Sequence, residues 1–278
     1  MTVVSVGDRV ADGAYRLHSR FPRAVNFTRR GQLVSVVDEG VGPGPGHIVV
    51  RGLEPAGAGA LAKVGTSIRI GSGLHDAGRA RVFRSRLRLA RAAPQAFARN
   101  LHVLERMLAG APRHSLAFLL APGRRSAPAS KLDRAFARSV RSAVGPMFEG
   151  RPRPRRILPG VRRLRGLGFG LTPGGDDFIA GMLIGLNVME QLTRRSHRPL
   201  IRKILRGALG GNALSNAFLR DAAAGRAPER THRLVESLLK GPAPRIRAAG
   251  RDVMKTGATS GADFSAGLVM LLRSSLKR

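Results

Sequence analysis

Short runs of alternating β-branched and polar residues fill the first quarter of the chain and then give way to helical spacing. Thr2–Val6, Tyr15–Ser19, Arg23–Thr28 and Gln32–Val37 are each bounded by turn residues and read as strands. Arg30-Gly31 marks a turn between two of them, and the Gly-Pro alternation from Val41 to Gly46 is a loop. His47–Val50 and Val64–Ile70 continue the strand pattern, so a small barrel or sandwich ending near Leu74 is expected. Beyond it, Arg79–Ala92 and Pro94–Leu108 read as helices, with Phe97, Leu101, Leu104 and Leu108 on one face. Ser115–Leu120 fits a strand or a helix, residues 122–128 a loop, Lys131–Phe148 a helix, and Arg151–Pro159 an extended, proline-interrupted connector. Helical spacing returns in Phe178–Met189, Pro199–Leu209, Asn212–Ala224, Glu229–Leu239, Pro244–Lys255 and Asp263–Leu272. The expected class is therefore α+β: a β-rich domain over residues 1–75 and a mainly helical domain over 76–278.

One stretch stands apart from this pattern. Gly166-Leu-Gly168-Phe-Gly170-Leu-Thr172-Pro173-Gly174-Gly175-Asp176-Asp177-Phe178 runs into an almost unbroken apolar segment. Thr172 before Pro173 predicts an N-cap followed by the first helical residue, with Asp176 and Asp177 in the first turn. Such a helix start would offer free backbone N–H groups to an anion. The following segment is apolar on every side, which predicts a buried helix. A similar stretch recurs at Gly257-Ala-Thr259-Ser260-Gly261-Ala-Asp263-Phe264. Aligned as T-x-G-x-D, Thr172, Gly174 and Asp176 pair with Thr259, Gly261 and Asp263, and the two loops are expected to line one pocket. Capping is the plainer use of these carboxylates. The alternative is that Asp176, Asp177 and Asp263 gather a magnesium ion as oxygen ligands.

Several of these residues resemble a known family. Gly166 to Leu183 is similar to the signature G-x-G-L-T-P-S-G-D-D-F-L-x-G of the bacterial domain-of-unknown-function family that includes the AllH subunit of oxamate carbamoyltransferase. Asn212-Ala-Leu-Ser215 resembles its N-x-x-S block, Gly257 to Gly267 its G-x-T-S-G-x-D ending, and His18-Ser19 through Asn26 its opening H-S-x-F-x-x-A-x-N. The chain departs from the pattern at Gly174, where the signature has Ser. The resemblance implies a subunit of an enzyme interconverting oxalurate plus phosphate with oxamate plus carbamoyl phosphate, acting beside other subunits on a small anionic substrate. A direct acid/base role for Asp176, Asp177 and Asp263 is a further reading of the same carboxylates. The candidate ligand contacts are His18, Asn26, Gly170, Thr172, Gly174, Gly175, Asn212, Ser215, Thr259, Ser260 and Gly261. A non-catalytic subunit that holds an anion or a partner is the alternative.

Composition changes the picture in two ways. The 278 residues contain no Cys, which removes disulfides, thiolate catalysis and Cys-built zinc sites and fits a reducing compartment. No signal peptide and no membrane-spanning run is read, so a cytoplasmic protein is expected. The net charge of +32 raises nucleic acid as a partner. Against it, the basic residues are scattered, and one Tyr and no Trp supply few stacking surfaces. Such a charge can steer anionic substrates instead. The seven His residues make no H-x-H or H-E-x-x-H spacing, which argues against a His-built zinc site.

Overall fold

The computed structural model describes every residue except 90–93, 113, 121–129, 151–152, 169 and 277–278. It divides into two compact units, Met1–Leu87 with Arg226–Glu229, and Arg88–Gly225 with Arg230–Arg278. The class is α+β.

The first unit is a nine-stranded sheet, curled into a half-barrel. Its strands are β1 (Thr2–Gly7), β2 (Gly13–Phe21), β3 (Ala24–Arg29), β4 (Gln32–Asp38), β5 (His47–Arg51), β6 (Leu61–Val64), β7 (Ser67–Ile70), β8 (Gly73–Asp76) and β9 (Arg81–Phe83), in the spatial order β8-β7-β6-β2-β3-β4-β5-β1-β9. Among the described residues only β4–β5 and β1–β9 pair in parallel. Val25, Phe27, Val34, Val36, Ile48 and Val50 form the middle of the core at no more than 0% exposure each. The stretch read as one strand over Val64–Ile70 is a hairpin end instead. Val64 pairs with Ser67 across Gly65, whose φ of +57° suits the two-residue turn.

The helix expected over Arg79–Ala92 is absent from its described part: β9 is followed by extended chain, and residues 90–93 lie outside the described residues. The reason is a period of two. Phe83, Ser85 and Leu87 are buried, while Arg84, Arg86 and Arg88 between them are exposed. Arg226 closes this end of the unit, bonding Asp8 (2.7 Å) and Ser85 (3.0 Å).

The second unit contains α1 (Pro94–Leu108), α2 (Lys131–Val144), α3 (Pro154–Leu164), α4 (Gly174–Thr193), α5 (Arg198–Ala208), α6 (Ala213–Ala223), α7 (Glu229–Lys240), α8 (Ala243–Met254) and α9 (Ser260–Leu276), with α7 beginning at the boundary. Leu116–Leu120, left open between strand and helix, is a 3₁₀ turn. The loop read over 122–128 lies outside the described residues, as do Arg151 and Pro152. Pro154–Leu164 is helical rather than extended. Ile157, Gly160, Val161 and Leu164 are all buried at helical spacing, and that packing outweighs Pro159 in the helix interior. α4 is buried over its first sixteen residues, as its apolar sequence demands. Among the described residues no helix is long and apolar enough to cross a membrane.

Candidate functional site

The glycine loop is built by backbone that only glycine adopts readily. Gly168 has φ of +124°, and a Cβ on it would stand 2.8 Å from the Gly174 nitrogen. The loop is then tied to the helix it precedes. The Gly166 N–H donates to Asp176 Oδ1 (2.8 Å), and the Gly175 N–H donates to the Leu167 carbonyl (2.9 Å). Asp176 is therefore a clamp on its own loop.

The helix start differs from the sequence expectation in two respects. Pro173, with extended φ and ψ of −58° and 138°, is the residue before the helix, so Thr172 is not the N-cap. The Pro173 carbonyl already accepts the amides of Asp176 (2.9 Å) and Asp177 (3.2 Å), and the Thr172 hydroxyl donates instead to Asp177 Oδ2 (3.0 Å). The second difference concerns the free amides expected for an anion. In α9 the amide of Gly261 donates to Thr256, and those of Ala262 and Asp263 donate to Thr259, at 2.9–3.0 Å. With Gly175, Asp176 and Asp177 likewise engaged, the first turns of both helices direct most of their donors inward. Buried carboxyl groups, not open amides, mark these two ends.

α4 and α9 pack directly on one another through glycine. A Cβ on Gly181 would overlap the Phe264 carbonyl oxygen, and one on Gly267 would overlap the Phe178 carbonyl oxygen. These reciprocal contacts, with Gly174 beside Asp263, make the helices parallel with their N-termini together. The helices open 86 residues apart, at Gly174 and Ser260. Structural partners are therefore Asp177 and Asp263, Phe178 and Phe264, Gly181 and Gly267. The shared pattern is D-F-x-A-G, read as Asp177-Phe178-Ile-Ala-Gly181 and Asp263-Phe264-Ser-Ala-Gly267. The T-x-G-x-D alignment placed Asp176 opposite Asp263, one residue out of this register. The two loops do approach one another: the Thr172 and Ser260 hydroxyl oxygens are 3.2 Å apart.

The two equivalent acids are not served equally. Asp177 is 2% exposed and Asp263 is 0% exposed. Burial drives the Asp177 carboxyl well above its usual range, the Ser260 and Thr172 hydroxyls temper this, and the nearby Asp263 and Asp176 charges add to it. Burial likewise pushes Asp263 up to about 6, against the Leu116 amide and the Thr259 hydroxyl. Asp263 Oδ1 accepts the Leu116 N–H, but Oδ2 is buried with no hydrogen-bond partner. The asymmetry has a simple cause. Ser260 gives Asp177 a hydroxyl, while its counterpart in α4 is Gly174, which has none. A Cβ on Gly174 would stand 2.8 Å from Asp263 Oδ2. Oδ2 is thus a buried acceptor without a well-placed donor, on a carboxyl raised to about 6.

Gly174→Ser tests that account. The new hydroxyl should donate to Oδ2 and favour the charged carboxylate, so the Asp263 pKa, followed by carbon NMR, should fall below about 6. An unchanged pKa would mean that Oδ2 does not face position 174.

The remaining candidates are distributed as follows. Asn212 caps α6 by accepting the Ser215 amide (3.0 Å), and its side-chain amide donates to the Leu171 carbonyl (2.8 Å), so it joins the glycine loop to a third helix start. Ser215 is buried, and its hydroxyl has no partner. Gly170 continues the loop with φ of +101°, and Gly261 lets α9 pass the Val253 carbonyl. His18 and Asn26 belong to the sheet unit and make their contacts there. The Leu116 amide was not foreseeable, since a backbone donor from a distant turn leaves no mark in a side-chain pattern. Among the described residues no group of three or more His, Asp or Glu is placed to hold a metal ion.

Comparison with curated proteins and with solved structures returns no match. Residues 164–272 run from the end of α3 through the glycine loop, the buried acids and most of α9. They match the family model of oxamate carbamoyltransferase subunit AllH, the family that the sequence resembles.

Proposed function

We propose that the chain is an AllH-like subunit of a cytoplasmic oxamate carbamoyltransferase-type complex, which interconverts oxalurate and phosphate with oxamate and carbamoyl phosphate. The observation that carries this reading is the buried Asp263 Oδ2, without a partner, inside the segment that matches the family. Oxamate presents an amide nitrogen beside a carboxylate. Its N–H is a donor of the kind Oδ2 lacks. In the direction that consumes carbamoyl phosphate the oxamate nitrogen attacks the carbamoyl carbon, the bond from that carbon to the phosphate oxygen breaks, and the nitrogen's proton passes to Asp263. A carboxylate raised to about 6 is charged at neutral pH, yet more basic than an ordinary Asp, which suits a general base. The net charge of +32 favours the approach of phosphate-bearing and carboxylate substrates. An anion-holding, non-catalytic subunit draws less support, because most of the amides at both helix starts already have carbonyl acceptors.

The test is reconstitution with the partner subunits expected from genes adjoining this one. Phosphate release from carbamoyl phosphate should depend on oxamate and on this chain. A complex that turns over equally well without the chain, or that never uses oxamate, would end the proposal.

A further inference from the structure

A second reactive arrangement lies in the sheet unit. Consecutive residues of a regular strand point to opposite faces, so neighbouring side chains do not meet. β2 breaks that rule. Leu17 pairs with Phe27 and Ser19 with Asn26, so two residues on β2 oppose one step on β3, and His18 is the extra residue of a bulge. The bulge brings His18 Nδ1 to 3.0 Å from Ser19 Oγ.

The strands behind it supply a directed chain of hydrogen bonds. Ser19 is in register with Asn26, and Asn26 with Ser35. The Ser35 hydroxyl donates to Asn26 Oδ1 (2.6 Å), and Asn26 Nδ2 donates to Ser19 Oγ (3.1 Å). Asn26 and Ser35 are 5% and 7% exposed, while His18 is exposed and Ser19 is half-buried. With Asn26 donating into one lone pair, Ser19 has its own proton to offer the imidazole in the tautomer that leaves Nδ1 unprotonated. A network that fixes which way each polar group points is more than a surface contact.

We propose that Ser19 is a nucleophile activated by His18 and takes up activated acyl groups, with Asn26 and Ser35 as positioning residues. In the step, Ser19 Oγ forms a bond to the acyl carbon, the bond from that carbon to the leaving oxygen breaks, and the Ser19 proton moves to His18 Nδ1. Nothing in this inference depends on the carbamoyltransferase reading, and the two can fail separately.

The full-length chain reacted briefly with p-nitrophenyl acetate gives the test, with nitrophenolate release followed by absorbance and the acetylated residue located by mass spectrometry. Acetyl should collect at Ser19 well above Ser139, an exposed serine on α2. His18→Gln should slow labelling about a hundredfold, within the range of general base catalysis. Ser35→Ala should slow it as well, and Ser35→Thr, which keeps the hydroxyl, should restore it. Melting temperatures of all variants separate lost reactivity from lost folding. Labelling of Ser19 no faster than of Ser139, or rates indifferent to His18 in a folded variant, would overturn the proposal.

Discussion

Asp263→Asn is expected to gain stability relative to the parent chain as pH rises, and to lose the chemistry proposed for the site. The folded-state pKa of Asp263 is raised from 3.8 to about 6. A raised carboxyl contributes stability that is fully present below pH 3.8 and lost as pH rises through about 6. At about 1.4 kcal/mol per pKa unit, the parent chain loses about 3 kcal/mol across that window. Asparagine keeps an oxygen for the Leu116 amide but does not titrate. Its NH₂ stands where Oδ2 was, an unmet donor costing about 1–3 kcal/mol at every pH. That constant cost cancels when urea unfolding of the two proteins is compared at about pH 4 and about pH 8. The stability difference should swing by about 2 kcal/mol in favour of the variant, because part of the full change already lies below pH 4. A difference independent of pH would mean that the surroundings of Asp263 do not raise its pKa. Turnover in the reconstituted complex should fall about 10²-fold or more if Asp263 takes a proton from substrate. Stability gained with activity lost is the behaviour of a group kept in an unfavourable place for function.

Much of this was legible in the sequence because it rests on composition at fixed spacing. The apolar run after Asp177 could only be a buried helix, and the two Gly-Asp stretches announced two similar helix starts. What escaped was register and partner. Thr172 looked like a cap because it precedes Pro173, yet a buried carboxylate competes for its hydroxyl and the Pro173 carbonyl takes the amides. Asp176 looked equivalent to Asp263 because Thr and Gly align. The helix pair is instead set by Gly181 and Gly267, whose contact depends on the partner helix. Around Phe83, arginines between apolar residues were read at helical spacing, although burial alternates strictly there. The imbalance between Asp177 and Asp263 follows from Ser260 facing one acid and Gly174 the other, a pairing that no single segment reveals.

The largest loss of stability is expected from Gly267→Ala. The new methyl would overlap the Phe178 carbonyl oxygen, and main chain cannot rotate aside as a side chain can. The α4–α9 pair would have to separate although both helices are buried over most of their length. Overpacking of this kind costs about 3 kcal/mol or more. Gly181→Ala should match it, since its methyl would overlap the Phe264 carbonyl in the reciprocal contact. Gly185→Ala is the informative control. It changes the same helix face one turn on, but its nearest neighbour is Leu271 Cδ2 at 2.7 Å, the free end of a flexible side chain. There, helix propensity favours alanine by about 1 kcal/mol, so the change should be near neutral. Urea midpoints for the three variants decide the matter. If Gly185→Ala is as damaging as the other two, the helices are sensitive to any added volume and the reciprocal backbone contact has no special role. If only Gly267→Ala and Gly181→Ala are damaging, the two glycines set the distance at which Asp177 and Asp263 meet. Loss of the Thr172–Ser260 contact and of the raised Asp263 pKa should then accompany any folded form of either variant.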